Sequence, residues 1–237
     1  MALSSAQKII YFEKTLHLFF EPHFQKLVIA SSPVFVYLCN TYYSTIHFVF
    51  TAFVFLKLIL YGGDRTLRFR LGFYYMLILA LVAFYLIPTM PPRLLSVHAP
   101  GLVSPPFEDT GHATMYQRAH NIGGNPYAAM PSMHIGWATW SLRSLVETKF
   151  DAGNRTAPHS KIAMTHLICT IVVVIVTANH YWLDCIAGYL VAVVAAEAGR
   201  RTSDTKIMRK VARKLDFWRH QHKRVRLRGG GSAEMMV

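Results

Sequence analysis

Asn125-Pro126-Tyr127-Ala128-Ala129-Met130-Pro131-Ser132-Met133-His134 and Asn179-His180-Tyr181-Trp182-Leu183-Asp184 each lead into an apolar segment of membrane length. Ionisable side chains at such edges are costly and point to function. His180 and Asp184 lie four residues apart, so on a helix they share a face and the carboxylate can hold the imidazole's tautomer. His134 falls just inside a helix opened by Pro131 and Ser132, beside backbone N–H groups suited to an anion. A nucleophile, an orienting carboxylate, a proton donor and an anion cradle together suit phosphoryl transfer.

Composition agrees with a membrane setting. Of the 237 residues, 53% are hydrophobic and 16% charged, and mean hydropathy is +0.28, unusual for a soluble domain. Cys39, Cys169 and Cys185 lack any paired spacing, which supports neither a disulfide framework nor a zinc site. The net charge of +13 is concentrated at one end. Residues 200–228 hold twelve Lys or Arg against Asp204 and Asp216, a net +10. A basic run directly after a membrane helix is read as meeting anionic lipid headgroups rather than nucleic acid. Ile207, Val211, Leu215 and Trp218 fall at helical spacing within it, the pattern of an interfacial helix.

The apolar segments set the domain plan. Residues 1–26 carry Glu13, Lys14, His17 and Glu21, and read as a surface-lying helix without the pattern of a cleavable signal peptide. Residues 27–199 form the membrane-embedded bundle and 200–237 the basic cytoplasmic tail. Within the bundle, 27–60 is interrupted by Ser31-Ser32-Pro33, and is either one long tilted helix or a short embedded segment followed by a span. Further spans are expected at 71–87, 132–148, 162–179 and 183–199. The Pro- and Gly-rich loop between 88 and 130 is long enough to suggest function. Basic residues Lys57, Arg65, Arg68 and Arg70, then Lys149, Arg155 and Lys161, then the tail, fall on one side by this count, the cytoplasmic side by the positive-inside bias. His134, His180 and Asp184 then face the non-cytoplasmic side. An Asn154-Arg155-Thr156 glycosylation acceptor falls on the wrong side for use.

Further side chains complete the candidate site. His180 is the expected nucleophile, with Asp184 binding its other N–H, and His134 the expected general acid. Ser132 either donates to a phosphoryl oxygen or simply caps its helix. Arg93 and, in the loop, Arg118 offer guanidinium forks for phosphate. His47, one turn after Tyr43, has either a substrate-side or a structural role. Trp137, Trp140, Tyr181 and Trp182 are expected in an interfacial aromatic belt that packs the site.

Pro-Ser-Met-His at 131–134 and His-x-x-x-Asp at 180–184 resemble the last two signatures of the type 2 phosphatidic acid phosphatase superfamily. Ala-Ala-Met-Pro-Ser-Met-His-Ile-Gly-Trp-Ala and Ala-Asn-His-Tyr-Trp-Leu-Asp look most like its inositol phosphorylceramide synthase branch, which Pro91-Pro92-Arg93 and Tyr43-x-x-x-His47 also fit. The resemblance implies an all-α integral membrane protein, a bundle of about six helices with its active site at the non-cytoplasmic face. It implies a phosphohistidine on His180, oriented by Asp184, with His134 acting as acid and then base, and neither metal nor cofactor. Two of the superfamily's basic ligands are missing: Leu86 stands where a Lys precedes Arg93 by seven, and Val174 where an Arg precedes His180 by six. The expected activity is therefore transfer of a phosphoryl or headgroup-phosphoryl unit from a phospholipid or lipid phosphate to a hydroxyl. The alternatives are a phosphatase using water, a metal-dependent hydrolase on His134, His180 and Asp184, and a non-catalytic lipid-binding or transport protein.

Overall fold

The computed structural model describes residues 1–61, 66–110, 125–148, 158–208 and 210, and helices dominate it. In chain order they are α1 (Ala2–Thr15), α2 (Glu21–Ser31), α3 (Pro33–Thr41), a π-helical turn (Tyr42–Ile46), α4 (His47–Tyr61) and α5 (Leu67–Leu86). A 3₁₀ turn (Pro92–Leu94) leads into α6 (Leu95–His98), followed by α7 (Met133–Glu147), α8 (Pro158–Val176) and α9 (Trp182–Ser203). Among the described residues, four helices are long and apolar enough to cross a bilayer: Pro33–Leu60, Leu67–Leu86, Pro158–Val176 and Trp182–Ser203. The protein is an all-α membrane protein. At 15 residues, α7 is shorter than a full span and is enclosed by its neighbours.

Proline decides where the first span begins. Pro33 disfavours helical backbone at the preceding residue, and Ser32 is accordingly extended at φ −159°, ψ 93°. Its hydroxyl then accepts the Phe35 N–H at 3.2 Å, and Pro33 occupies the first helical position, where no N–H is needed. The 27–60 stretch therefore divides at Ser32 into a short segment and a span. That span of 28 residues is about 42 Å long, more than the bilayer's apolar core requires. The π turn within it re-aims the chain just before His47.

Small residues bring the helices together, as packing rather than water exclusion must do in lipid. α5 and α9 form the most extensive pair. Where they cross, a Cβ on Gly199 would stand 2.4 Å from the Arg68 carbonyl oxygen and 2.6 Å from the Gly72 nitrogen. α9 meets the start of α7 in the same way at Gly188, where a Cβ would lie 2.1 Å from the Ser132 oxygen. Val54, Leu58, Phe69, Met76 and Trp140 fill the centre.

The two ends of the bundle differ in chemistry. At one end Arg68 pairs with Glu147 at 3.5 Å and Tyr75 with Thr202 at 2.9 Å. At the other, Arg93 N–H donates to Ala178 O at 2.9 Å and Ser132 N–H to Asp184 O at 2.9 Å. Both quoted stretches meet there. Ala6, Ile9 and Ile10 of α1 pack over this end with Met90, Leu95 and Tyr181, while Tyr11, Phe12, Leu16, Leu18 and Phe20 remain exposed.

The aromatic belt is corrected at two positions. Trp140 is buried, its indole N–H donating to Phe69 O at 2.9 Å. Tyr181 is fully buried, its hydroxyl on Met90 O at 3.2 Å. Each has a backbone carbonyl to satisfy its polar tip inside the bundle, so neither needs the interface.

Candidate active site

The turn between α8 and α9 presents His180. α8 ends at Val176, and Ala178 adopts a left-handed conformation at φ 49°, which reverses the chain. The Asn179 and His180 N–H groups both fold back onto Val174 O, at 3.1 and 3.4 Å. The His180 ring is thereby held among backbone groups and is buried.

Its tautomer follows from its neighbours. His180 Nδ1 lies 2.8 Å from Ala129 O and 3.5 Å from Asp184 Oδ2. A carbonyl oxygen can only accept, so Nδ1 carries the proton and Nε2 keeps the lone pair. Nε2 has no hydrogen-bond partner among the described residues. Asp184 is fully buried. Its Oδ2 also accepts the Tyr181 N–H at 3.0 Å, which satisfies a donor at the start of α9.

His134 faces His180 across the site, with ring centroids 5.6 Å apart. Tyr43 stacks on it at 4.0 Å and His47 lies at 4.8 Å; the π turn brings both rings to that side. His134 Nε2 is inaccessible and unpartnered among the described residues. His47 is fully buried with neither ring nitrogen bonded among the described residues, stacked on Trp137 at 5.9 Å and His166 at 5.2 Å.

Arg93 is buried beside the turn that carries His180. Its Nε–H donates to Asn179 Oδ1 at 2.9 Å, and Nη1 pairs with Asp109 Oδ2 at 3.5 Å. Ser132 is fully buried and caps α7, with Oγ 3.5 Å from the Ile135 N–H. Thus His134, His180, Asp184, Arg93 and Ser132 converge at one end of the bundle, with His47 behind His134. Arg118 and most of the basic tail lie outside the described residues. No group of three or more His, Cys, Asp or Glu among the described residues has an arrangement that could hold a metal ion.

Sequence reasoning missed the Ala129 carbonyl, Asn179 and Asp109 as partners, and His166 behind His47. Asn179 adjoins His180 in the quoted stretch, which was a usable signal. A backbone acceptor has no side-chain signature, and Asp109 lies in a loop whose path a sequence does not give.

A family model described as the PAP2 superfamily matches residues 7–198. The chain belongs to the PAP2 superfamily. Membership makes it a membrane-associated enzyme of the phosphatase or phosphotransferase kind, with lipid phosphate as its substrate class. No curated protein and no solved structure matches the chain. Leu86 is exposed on α5. Val174 is fully buried, and its carbonyl receives the Asn179 and His180 N–H groups.

Proposed function

We propose that this PAP2 enzyme is a lipid phosphotransferase that works through a phosphohistidine on His180. The observation that carries the reading is the His180 ring itself. Its Nδ1–H is bound by Ala129 O and faces Asp184, so the lone pair sits on Nε2, unpartnered among the described residues, with His134 opposite. In the first step Nε2 forms a bond to phosphorus, the bond to the leaving oxygen breaks, and His134 supplies that oxygen's proton. Asp184 stabilises the positive charge that grows on the ring. In the second step an acceptor hydroxyl attacks phosphorus, the P–N bond breaks, and His134 takes the hydroxyl proton.

Arg93 and Ser132 are the proposed ligands of the phosphoryl oxygens, with Arg118 and His47 as further candidates. Arg93 is suited by its buried charge and its tether to Asn179, next to the nucleophile. The favoured donor is a phosphodiester lipid, as in inositol phosphorylceramide synthases. Hydrophobic residues at positions 86 and 174 leave two fewer cations than a dianionic terminal phosphate would use, and a monoanionic diester needs fewer. Tyr43 stacked on His134 and the buried Tyr181 limit water near the intermediate, which favours an alcohol acceptor over hydrolysis. The proposed site faces the non-cytoplasmic side, supported by Arg68, Arg200 and Arg201 clustering at the opposite end of the bundle, and the basic tail is proposed to contact anionic headgroups.

The test is partitioning. Purified protein is given a labelled phosphodiester lipid with and without inositol- or ceramide-type acceptors, and transferred product is measured against free headgroup phosphate. Capture by an acceptor supports transfer. Fast hydrolysis of phosphomonoester lipids with no capture by any acceptor makes the enzyme a phosphatase, and loss of turnover on chelation makes it metal-dependent.

A further inference from the structure

Two carboxyl groups buried beneath the nucleophile turn are used by nothing in that mechanism. Glu13 of α1 and Glu21 of α2 are 1% and 0% exposed. Both were expected on a polar, surface-lying face. Instead, Glu13 Oε1 accepts the Leu183 N–H at 2.9 Å, and Glu21 Oε1 accepts the Trp182 N–H at 3.2 Å. With Asp184 on the Tyr181 N–H, three carboxyl groups take three consecutive donors at the start of α9, each a group that a helix's first turn leaves unsatisfied.

The remaining oxygens complete the picture. Glu13 Oε2 and Glu21 Oε2 are buried without a donor among the described residues, and the Oε1 atoms sit on the N–H groups of adjacent residues, which sets the two carboxyl groups side by side. Two buried carboxylates would repel each other there, whereas one proton between them relieves both. We propose that Glu13 and Glu21, joined by a shared proton, clamp the first turn of α9 and position Asp184 against His180, and that loss of the proton loosens the clamp. They are positioning residues, and the inference rests on the reading of His180 and Asp184 as the reacting pair.

The electrostatics agree with this geometry. Burial first, then Glu21's charge, pushes Glu13 up to about 9, and burial raises Glu21 as well. The other titratable groups that bear on the pair are Asp184, Tyr181 and Cys185, none of them a cation. The neighbouring Lys14 lies over the Phe19 ring. An unfolded carboxyl titrates near 4.5, so the folded state keeps a proton that the unfolded chain has lost. That stability is fully present below pH 4.5, declines as pH rises, and is gone once pH passes about 9.

Glu13→Gln is the decisive variant, because its amide oxygen still accepts the Leu183 N–H while its N–H₂ replaces the shared proton. Melting temperature is followed from about pH 5 to 9 in detergent, alongside kcat and KM for a phosphodiester lipid with a ceramide-type acceptor in mixed micelles. The expected result is a flatter pH dependence of melting and an alkaline limb of kcat moved up by about one pH unit or more, with KM within about threefold. Glu13→Ala, lacking the acceptor, is expected to lose kcat about tenfold or more at neutral pH. Identical melting profiles for wild type and Glu13→Gln would overturn the clamp. A changed melting profile with an unmoved kcat profile would overturn the positioning role. Should wild type turn over no phospholipid, the reading of the reacting pair fails, while the melting comparison still decides the clamp.

Discussion

Ala129 O lies 2.8 Å from His180 Nδ1, closer than Asp184 Oδ2 at 3.5 Å. The backbone therefore secures the His180 tautomer, and in the proposed mechanism the carboxylate is left mainly to stabilise charge. In a triad whose carboxylate sets the tautomer, Asp→Asn costs about 10⁴ in kcat. Here an amide in place of the Asp184 carboxylate would keep an oxygen for the Tyr181 N–H while Ala129 O still holds Nδ1–H. Asp184→Asn is accordingly expected to lower kcat by only about 10²-fold, with melting temperature little changed. Steady-state kinetics and a melting curve check this together.

A second expectation concerns the covalent intermediate. Brief reaction with a lipid labelled in its phosphate should leave label on the protein that survives base better than acid, as a P–N bond does. His180→Ala should abolish the label. His134→Ala should slow turnover by about 10²–10⁴-fold through the loss of proton transfer. Undiminished activity in His180→Ala would remove the nucleophile from the mechanism.

Gly188 supplies a third. A Cβ there would stand 2.1 Å from the Ser132 oxygen, a backbone atom with little freedom to yield. Ser132 N–H also donates to Asp184 O, so the contact ties the cap of the His134 helix to the Asp184 helix. Gly188→Ala should force α7 and α9 apart and move His134 relative to His180. Displacements of about 1 Å can cost about 10²-fold in rate. The expected signature is a fall in kcat larger than that of Gly101→Ala, whose Cβ would meet nothing within 4 Å. Gly101 has φ 85°, so this control bears backbone strain but no helix contact.

The parts of this site legible in the sequence were those with a fixed spacing. His180 and Asp184 sit one helical turn apart, Ser132 and His134 open a helix behind a proline, and Arg93 follows two prolines at the end of a span. Local geometry alone aims such side chains. Glu13 and Glu21 were read the other way because an acid in an apolar helix ordinarily marks the wet face. Their partners, the N–H groups of Leu183 and Trp182, lie 170 and 161 residues away and belong to the backbone. The division at Ser32 was readable as one of two alternatives, since Pro33 restricts the residue before it but does not say how far the preceding segment continues. Trp140 and Tyr181 were assigned to an interface by residue type, whereas the carbonyls of Phe69 and Met90 that draw them inside come from distant segments.

His47 gives the last prediction. It is fully buried, neither ring nitrogen has a partner among the described residues, and the His134 ring is 4.8 Å away. A buried polar group without a hydrogen bond costs about 1–3 kcal/mol, so retaining an imidazole there carries a stability penalty that a hydrocarbon ring would avoid. Phe fits the site by shape, because His47 already stacks on Trp137 and His166. His47→Phe is therefore expected to raise the melting temperature. If His47 bears on phosphate or on the proton held by His134, the same change should lower kcat at least about tenfold, giving a variant more stable and less active than the parent. Melting in detergent and turnover in mixed micelles, measured on one preparation, separate the outcomes. A rise in stability with unaltered turnover would reduce His47 to packing, and a fall in stability would show that its nitrogens are satisfied in the working enzyme.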